Sequence, residues 1–261
     1  MMNKNIEDYQ ISEAIGKILV QGILKGYKDY AQERLAKQNE MVVSSGYLWT
    51  RSNHIDDGIA KEIQSENYEQ KIGFQIGRAG YIWDYVQFLH NNGEKSMIVV
   101  KPGQFRPEKF GDATDKKHLT QKSMRQLMSI NAKHFQDDEQ EYSSHDLQQL
   151  QLFDDSVPAK VLPSESEKNK ILSKKTNNVD RFYILTYTLG SDSLINSIKL
   201  VMPNPKNNTV VMIQDLTDLI GDANLINDDE AQVLKNELAE QVSAPEYFFD
   251  VLEDKPQEKQ G

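Results

Sequence analysis

The densest set of groups able to do chemistry is the run Trp49-Thr-Arg51-Ser-Asn53-His54-Ile-Asp56-Asp57. An Arg, a His and two carboxylates this close together could clamp a phosphate or pass a proton near neutral pH. The catalytic candidates within it are Arg51, His54 and Asp57. On a helix, however, His54 and Asp57 lie about one turn apart and read equally as ordinary surface charges.

A second set spans residues 101–133. It holds Lys101, Arg106, Lys109, Lys116, Lys117, Lys122, Arg125 and Lys133 against Glu108, Asp112 and Asp115, a net charge of +5. Phe105 and Phe110 are interleaved with these cations. Cations neutralise phosphates and aromatic rings stack on bases, so the segment is a candidate nucleic-acid contact through Lys101, Arg106, Lys109, Lys116, Lys117, Lys122 and Arg125. A solvated helix face followed by a polar loop would have the same composition.

Acidic residues near lysines on predicted strands also raise the chemistry of a metal-dependent nuclease. Nucleases of the restriction-enzyme type need Glu-x-Lys, with both side chains on one face of a strand. Here Glu94 and Lys95 are adjacent and point to opposite faces. Asp84 lies on the preceding strand, and Lys101 could substitute only by a long reach. The five histidines, His54, His90, His118, His134 and His145, lack zinc-ligand spacing. No phosphate loop, Gly-x-Gly-x-x-Gly or Gly-x-Ser-x-Gly is present, so no cofactor and no metal are expected. Gly73, Gly77 and Gly80 read as bends in a strand and a turn.

The elements that must position these groups follow from periodicity. Asn5 can cap a helix carrying Ile11, Ile15, Ile18, Leu19, Ile23 and Tyr30, running to about Gln38. Gly22 and Gly26 lie one turn apart on it and would let another backbone approach. Met41 to Leu48 reads as a short extended piece. Thr50 or Ser52 can cap a second helix, with Ile55, Ile59 and Ile63 on one stripe. Strands are expected over 71–78 and 81–90, and Asn91-Asn92-Gly93 is a hairpin signal before the return strand Ser96 to Lys101. A helix follows from Asp115 through Leu127 and Ile130. Residues 136–178 turn polar and read as a loop or linker, with one short helix near 147–152. The runs 181–189, 197–202 and 209–213 predict a three-stranded meander, and Asp228 or Asp229 can cap a last helix. Clustered strands with flanking helices, without regular alternation, give an α+β fold on a mainly antiparallel sheet. The expected organisation is a helical part plus hairpin over 1–135, a linker over 136–178, a meander completing the same domain over 179–225, and a helix with an acidic-aromatic tail over 226–261.

Composition bounds the partners. The 261 residues carry a net charge of −10, yet residues 222–261 alone carry −8, leaving the first 221 residues at −2. Within the acidic stretch Tyr247, Phe248, Phe249 and Leu252 are set among carboxylates, which makes them candidate anchors for a protein partner. Lying over residues 101–133, the same segment could instead compete with a polyanion, weakly and in a salt-sensitive way. Removal at about Asp222 would test that. Cysteine is absent, the opening residues lack the apolar core of a signal peptide, and no stretch approaches a membrane span; cytoplasm is the expected location, with no membrane partner.

The helix from Trp49 to Ile63, the hairpin from Tyr81 to Lys101, and the strand from Phe182 to Leu189 followed by Ile198 to Met202 together resemble a family of cytoplasmic and prophage proteins from low-GC Gram-positive bacteria. Members often sit beside helix-turn-helix regulators in defence or toxin–antitoxin-like gene neighbourhoods. The resemblance implies a setting and a helix-turn-helix regulator as partner, and it brings no catalytic residues. The leading expectation is a partner-binding protein, the toxin or effector of such a unit, with the acidic tail as docking or autoinhibitory element. The alternatives are a nucleic-acid-acting enzyme, or an acidic decoy that occupies a nucleic-acid-binding protein.

Overall fold

Ser12, not Asn5, starts the first long helix. The computed structural model describes residues 2, 4–65, 72–79, 83–103, 127–135, 179–207, 209–221 and 226–243. Asn5 precedes only a 3-10 turn, Ile6–Tyr9, and makes no capping bond. Ile11 then donates its N–H to Gln214 Oε1 (3.1 Å), which holds the chain extended before Ser12. The Ser12 hydroxyl accepts from the Ile15 N–H and caps α1, Glu13–Glu40.

In place of the expected extended piece, Ser45–Thr50 forms a second 3-10 turn running directly into α2, Arg51–Ser65. The Thr50 hydroxyl donates to Tyr47 O (2.9 Å) and so stays in its own turn instead of capping α2. The two helices pack backbone to backbone, as the Gly22/Gly26 spacing anticipated. A Cβ on Gly58 of α2 would collide with Gly22 O, and one on Gly26 would collide with His54 O. Only glycine permits that approach.

The sheet has six strands in chain order: β1 Ile72–Ala79, β2 Trp83–Asn92, β3 Glu94–Pro102, β4 Arg181–Leu189, β5 Ile195–Asn204 and β6 Thr209–Asp215. The fold is α+β on a mostly antiparallel sheet, as expected. Gly93, at φ 82°, makes the turn between β2 and β3. One pair breaks the antiparallel rule: β3 and β4 run parallel, from Ser96↔Arg181 to Pro102↔Tyr187. That pair is covered on both faces, which explains its continuous apolar sequence. Ile98, Tyr183 and Leu185 meet α1 and α2 in the main core, while Met97, Val99, Phe182 and Ile184 meet Leu127 and Met128 on the other side.

Asn131, within the 3-10 turn Ile130–His134, ties this second face down. Its amide donates to Phe182 O (2.8 Å) and Pro203 O (2.9 Å) and accepts from the Phe182 N–H (2.8 Å). The last helix, α3, spans Asp228–Ser243. Its cap is Asn227 instead of the anticipated Asp228 or Asp229: Asn227 Oδ1 accepts from the Glu230 N–H, and Glu230 Oε2 accepts from the Asn227 N–H, both at 2.9 Å. Glu230 also receives Lys28 Nζ of α1 (2.9 Å), and Leu234 is buried in the main core. The start of the acidic stretch is therefore an integral part of the fold. Among the described residues, no helix is long and apolar enough to cross a membrane.

Candidate functional site

Pairing between β2 and β3 runs from the turn as far as Phe88↔Ile98, while β3 continues beside β4 to its end. Beyond Phe88 the two strands part, and α2 fills the opening. Asp56 Oδ2 accepts the Val86 N–H at 3.0 Å, taking a bond that a fully paired sheet would have made internally.

Lys101 lies at the same end of the sheet. Burial pushes the Asp56 carboxyl up to about 7, against the pull of the Val86 N–H and of the Lys101 charge. Burial pushes the Lys101 ammonium down to about 8, and the Asp56 charge partly opposes that. Each group loses hydration and gains an opposite charge, and for both the lost hydration weighs more. Residue Asp56 keeps some surface in contact with solvent even though its carboxyl is enclosed.

Tyr187 of β4, beside Pro102 in register, completes the set. Its hydroxyl is fully enclosed and raised by burial, with Arg51 the cation acting on it and Asp56 the opposing anion. The Arg51 guanidinium reaches that hydroxyl without a well-directed hydrogen bond. Arg51 itself is half-buried at the first turn of α2. Arg51, Asp56, Lys101 and Tyr187 thus converge at the carboxyl ends of the only parallel strand pair among the described residues.

The sequence candidates divide on this geometry. Arg51 belongs to the site; His54 and Asp57 do not. His54 Nε2 pairs with Glu33 Oε2 of α1 (2.9 Å) beside the Tyr30 ring, and Asp57 pairs with Lys61 one turn on (2.6 Å), exposed. Lys101 is 6% exposed, so it belongs to the enclosed cluster with Asp56 and not to an open basic face. It ends the apolar run Met97 to Val100, whose burial carries it inward. Lys133 pairs with Asp180 (3.0 Å). Arg106, Lys109, Lys116, Lys117, Lys122 and Arg125 lie outside the described residues, as do Tyr247, Phe248, Phe249, Leu252, the expected linker and its short helix.

The nuclease pattern fares differently from its sequence form. Glu94 is held by Arg181 and Lys4, and the Lys95 N–H donates to Asp180 Oδ2 (3.0 Å), so both belong to a clasp joining the starts of β3 and β4. His134 extends this clasp, with ring nitrogens against Tyr9 Oη (3.3 Å) and Asp180 O (2.8 Å). Two residues before Lys101 stands Val99, packed in the second core. Among the described residues no group of three His, Asp or Glu side chains could hold a metal ion.

Asp56 and Tyr187 are the site residues that sequence reasoning passed over. A signal for Asp56 exists: Asp57 has Lys61 four residues on, a surface pairing, whereas Asp56 has Ala60, an apolar neighbour on the buried stripe. Tyr187 carries no such mark within its uniformly β-prone strand. No protein family, curated protein or solved structure matches the chain.

Proposed function

We propose that the chain is a nucleic-acid-acting enzyme that cleaves a phosphodiester at Arg51, Asp56 and Lys101. The observation that carries this reading is the nearness of Asp56 to Lys101, a buried carboxyl raised to about 7 and a buried ammonium lowered to about 8, beside the half-buried Arg51. Burial that brings an acid and a base to the same pH range is characteristic of functional sites. Two cations against one carboxylate favour an anionic ligand. Arg51 opens α2, whose first turn contains no acidic residue, so a bound phosphate would offset both the guanidinium and the helix dipole. The chain leaving Lys101 meets further cations from Arg106 onward, which favours a polyanion over a small phosphate.

In this mechanism the Asp56 carboxylate accepts the proton of an attacking water. The new P–O bond forms as the bond to the leaving sugar oxygen breaks, and Lys101 gives that oxygen its proton. Arg51 binds the non-bridging oxygens and stabilises their growing charge. Above about pH 7 Asp56 is ionised, and below about 8 Lys101 is protonated, which sets a narrow working window. Labelled RNA and DNA strands incubated with the full chain test the proposal. Asp56→Asn and Lys101→Met are each expected to lower the cleavage rate about 10²- to 10⁴-fold, the range for loss of a general acid or base. Wild-type protein inert on both polymers, or variants as active as wild type, would overturn it.

A second reading concerns setting: a cytoplasmic effector of a defence or toxin–antitoxin-like unit, restrained by a helix-turn-helix regulator. Supporting it, Met41, Val42 and Val43 form three consecutive exposed apolar residues between the first two helices. Growth arrest on expression, relieved by co-expressed regulator and abolished by Asp56→Asn, is the expected result. Arrest that persists in the variant would detach the effector role from the site.

A further inference from the structure

We infer that Trp49 is a stacking platform for an unpaired base, so that the substrate of the site is single-stranded; this rests on the phosphodiester reading above. Trp49 is 53% exposed, an unusual position for the largest apolar side chain in a protein with only two tryptophans. It stands in the 3-10 turn that runs without a break into α2, two residues before Arg51. Two residues of chain span at most about 7 Å. From Arg51, Asp56 lies about 7.5 Å farther along the helix axis.

The two side chains leave the turn in different directions, so a strand whose phosphate sits on Arg51 reaches the indole with a base about one to three nucleotides along, not with the nearest one. Every base offers a π-face, so an exposed indole beside a phosphate site recognises nucleic acid with little regard to sequence. A duplex cannot use it, because its bases are already stacked on one another; an unpaired base can. Support for the turn comes from its own contacts. Arg34 donates to Ser44 O (3.0 Å), and Lys37 Nζ lies 5.9 Å from the centre of the Tyr47 ring. The platform is thus anchored to α1 while the indole remains accessible.

The test uses the full chain carrying Trp83→Phe, which leaves Trp49 as the sole emitter. Its fluorescence is titrated with a twelve-nucleotide single strand, with the matching duplex and with inorganic phosphate. Saturable quenching by the single strand alone is expected. Trp49→Ala should weaken single-strand binding about tenfold and raise KM with kcat largely kept, and Trp49→Phe should recover part of the loss. Equal quenching by duplex, or unchanged single-strand affinity in Trp49→Ala, would overturn the inference. If Asp56→Asn still abolished cleavage in that case, the phosphodiester reading would stand without it. Conversely, Trp49-dependent single-strand binding by a protein that cleaves nothing would keep the platform and remove the enzyme. Loss of a co-purifying protein in Trp49→Ala, with oligonucleotide affinity intact, would assign the indole to a protein partner and overturn the inference.

Discussion

An enclosed carboxyl that holds its proton to about pH 7 governs folding stability as well as chemistry. In the unfolded chain an Asp ionises near pH 4, whereas folded Asp56 ionises at about 7. Between those values the folded state binds the extra proton, so the contribution of Asp56 to stability falls as pH rises, by up to about 1.4 kcal/mol per pH unit. Above about 7 it is level again. Asn at this position keeps an acceptor for the Val86 N–H and does not titrate. The stability of Asp56→Asn relative to wild type should therefore increase steadily from pH 4.5 to pH 7, read by urea unfolding at several pH values. A difference that stayed flat with pH would show that Asp56 is not enclosed. That a residue required for activity lowers stability in its working range is a familiar trade at functional sites. In the sequence, the choice between Asp56 and its neighbour Asp57 turned on one detail, Lys61 against Ala60 four residues on, while the nearness of Lys101 was hidden by the 44 residues between them.

At the scale of elements, the site depends on how closely α2 approaches α1 and the sheet. Gly58→Ala would force the helices apart against Gly22 and Gly26 backbone atoms, with an expected cost of about 1–3 kcal/mol. Gly46→Ala, where a Cβ meets open space, is the control and should change stability by less than about 0.5 kcal/mol. Thermal unfolding of both variants checks the pair. Asn131→Ala should cost about 2–4 kcal/mol, because it leaves Phe182 N–H, Phe182 O and Pro203 O without their buried partner. The helices, hairpin and meander could be read from local signals: period, Asn-Asn-Gly, β-prone runs. The Gly22/Gly26 spacing even anticipated the close helix pair. What local signals could not give was the parallel pairing of β3 with β4, whose strands are separated by 78 residues, and hence the side-chain cluster at their carboxyl ends. The cap errors at Asn5, Thr50 and Asp228 differ in cause. Only at Asn5 is the competitor a tertiary bond, Ile11 to Gln214; Thr50 is held by Tyr47 three residues back and Asp228 is displaced by its neighbour Asn227, both within a few residues of sequence.

For the whole molecule, charge layout is the feature that function must answer to. The −8 of residues 222–261 includes α3, which is packed on α1 through Leu234 and the Lys28–Glu230 pair. Removal at Asp222 would take away part of the core. Only residues 244–261, with five acidic side chains against two lysines, follow that helix. If this short segment competes with nucleic acid, a chain ending at Ser243 should bind oligonucleotides several-fold more tightly than full-length protein at 50 mM salt, with the difference largely lost at 0.3 M as screening shortens. Equal affinity at low salt would confine the segment to a role with other proteins. The central claim, that Asp56 and Lys101 act as base and acid on a phosphodiester, is tested most directly by the single-turnover cleavage rate of a labelled single strand from pH 5 to pH 9. The expected profile rises with an apparent pKa near 7 and falls with one near 8, values that belong to the coupled pair. In Asp56→Asn the rate should drop at least a hundredfold and the acidic limb should vanish. A flat profile, or an acidic limb that survives in Asp56→Asn, would contradict the claim.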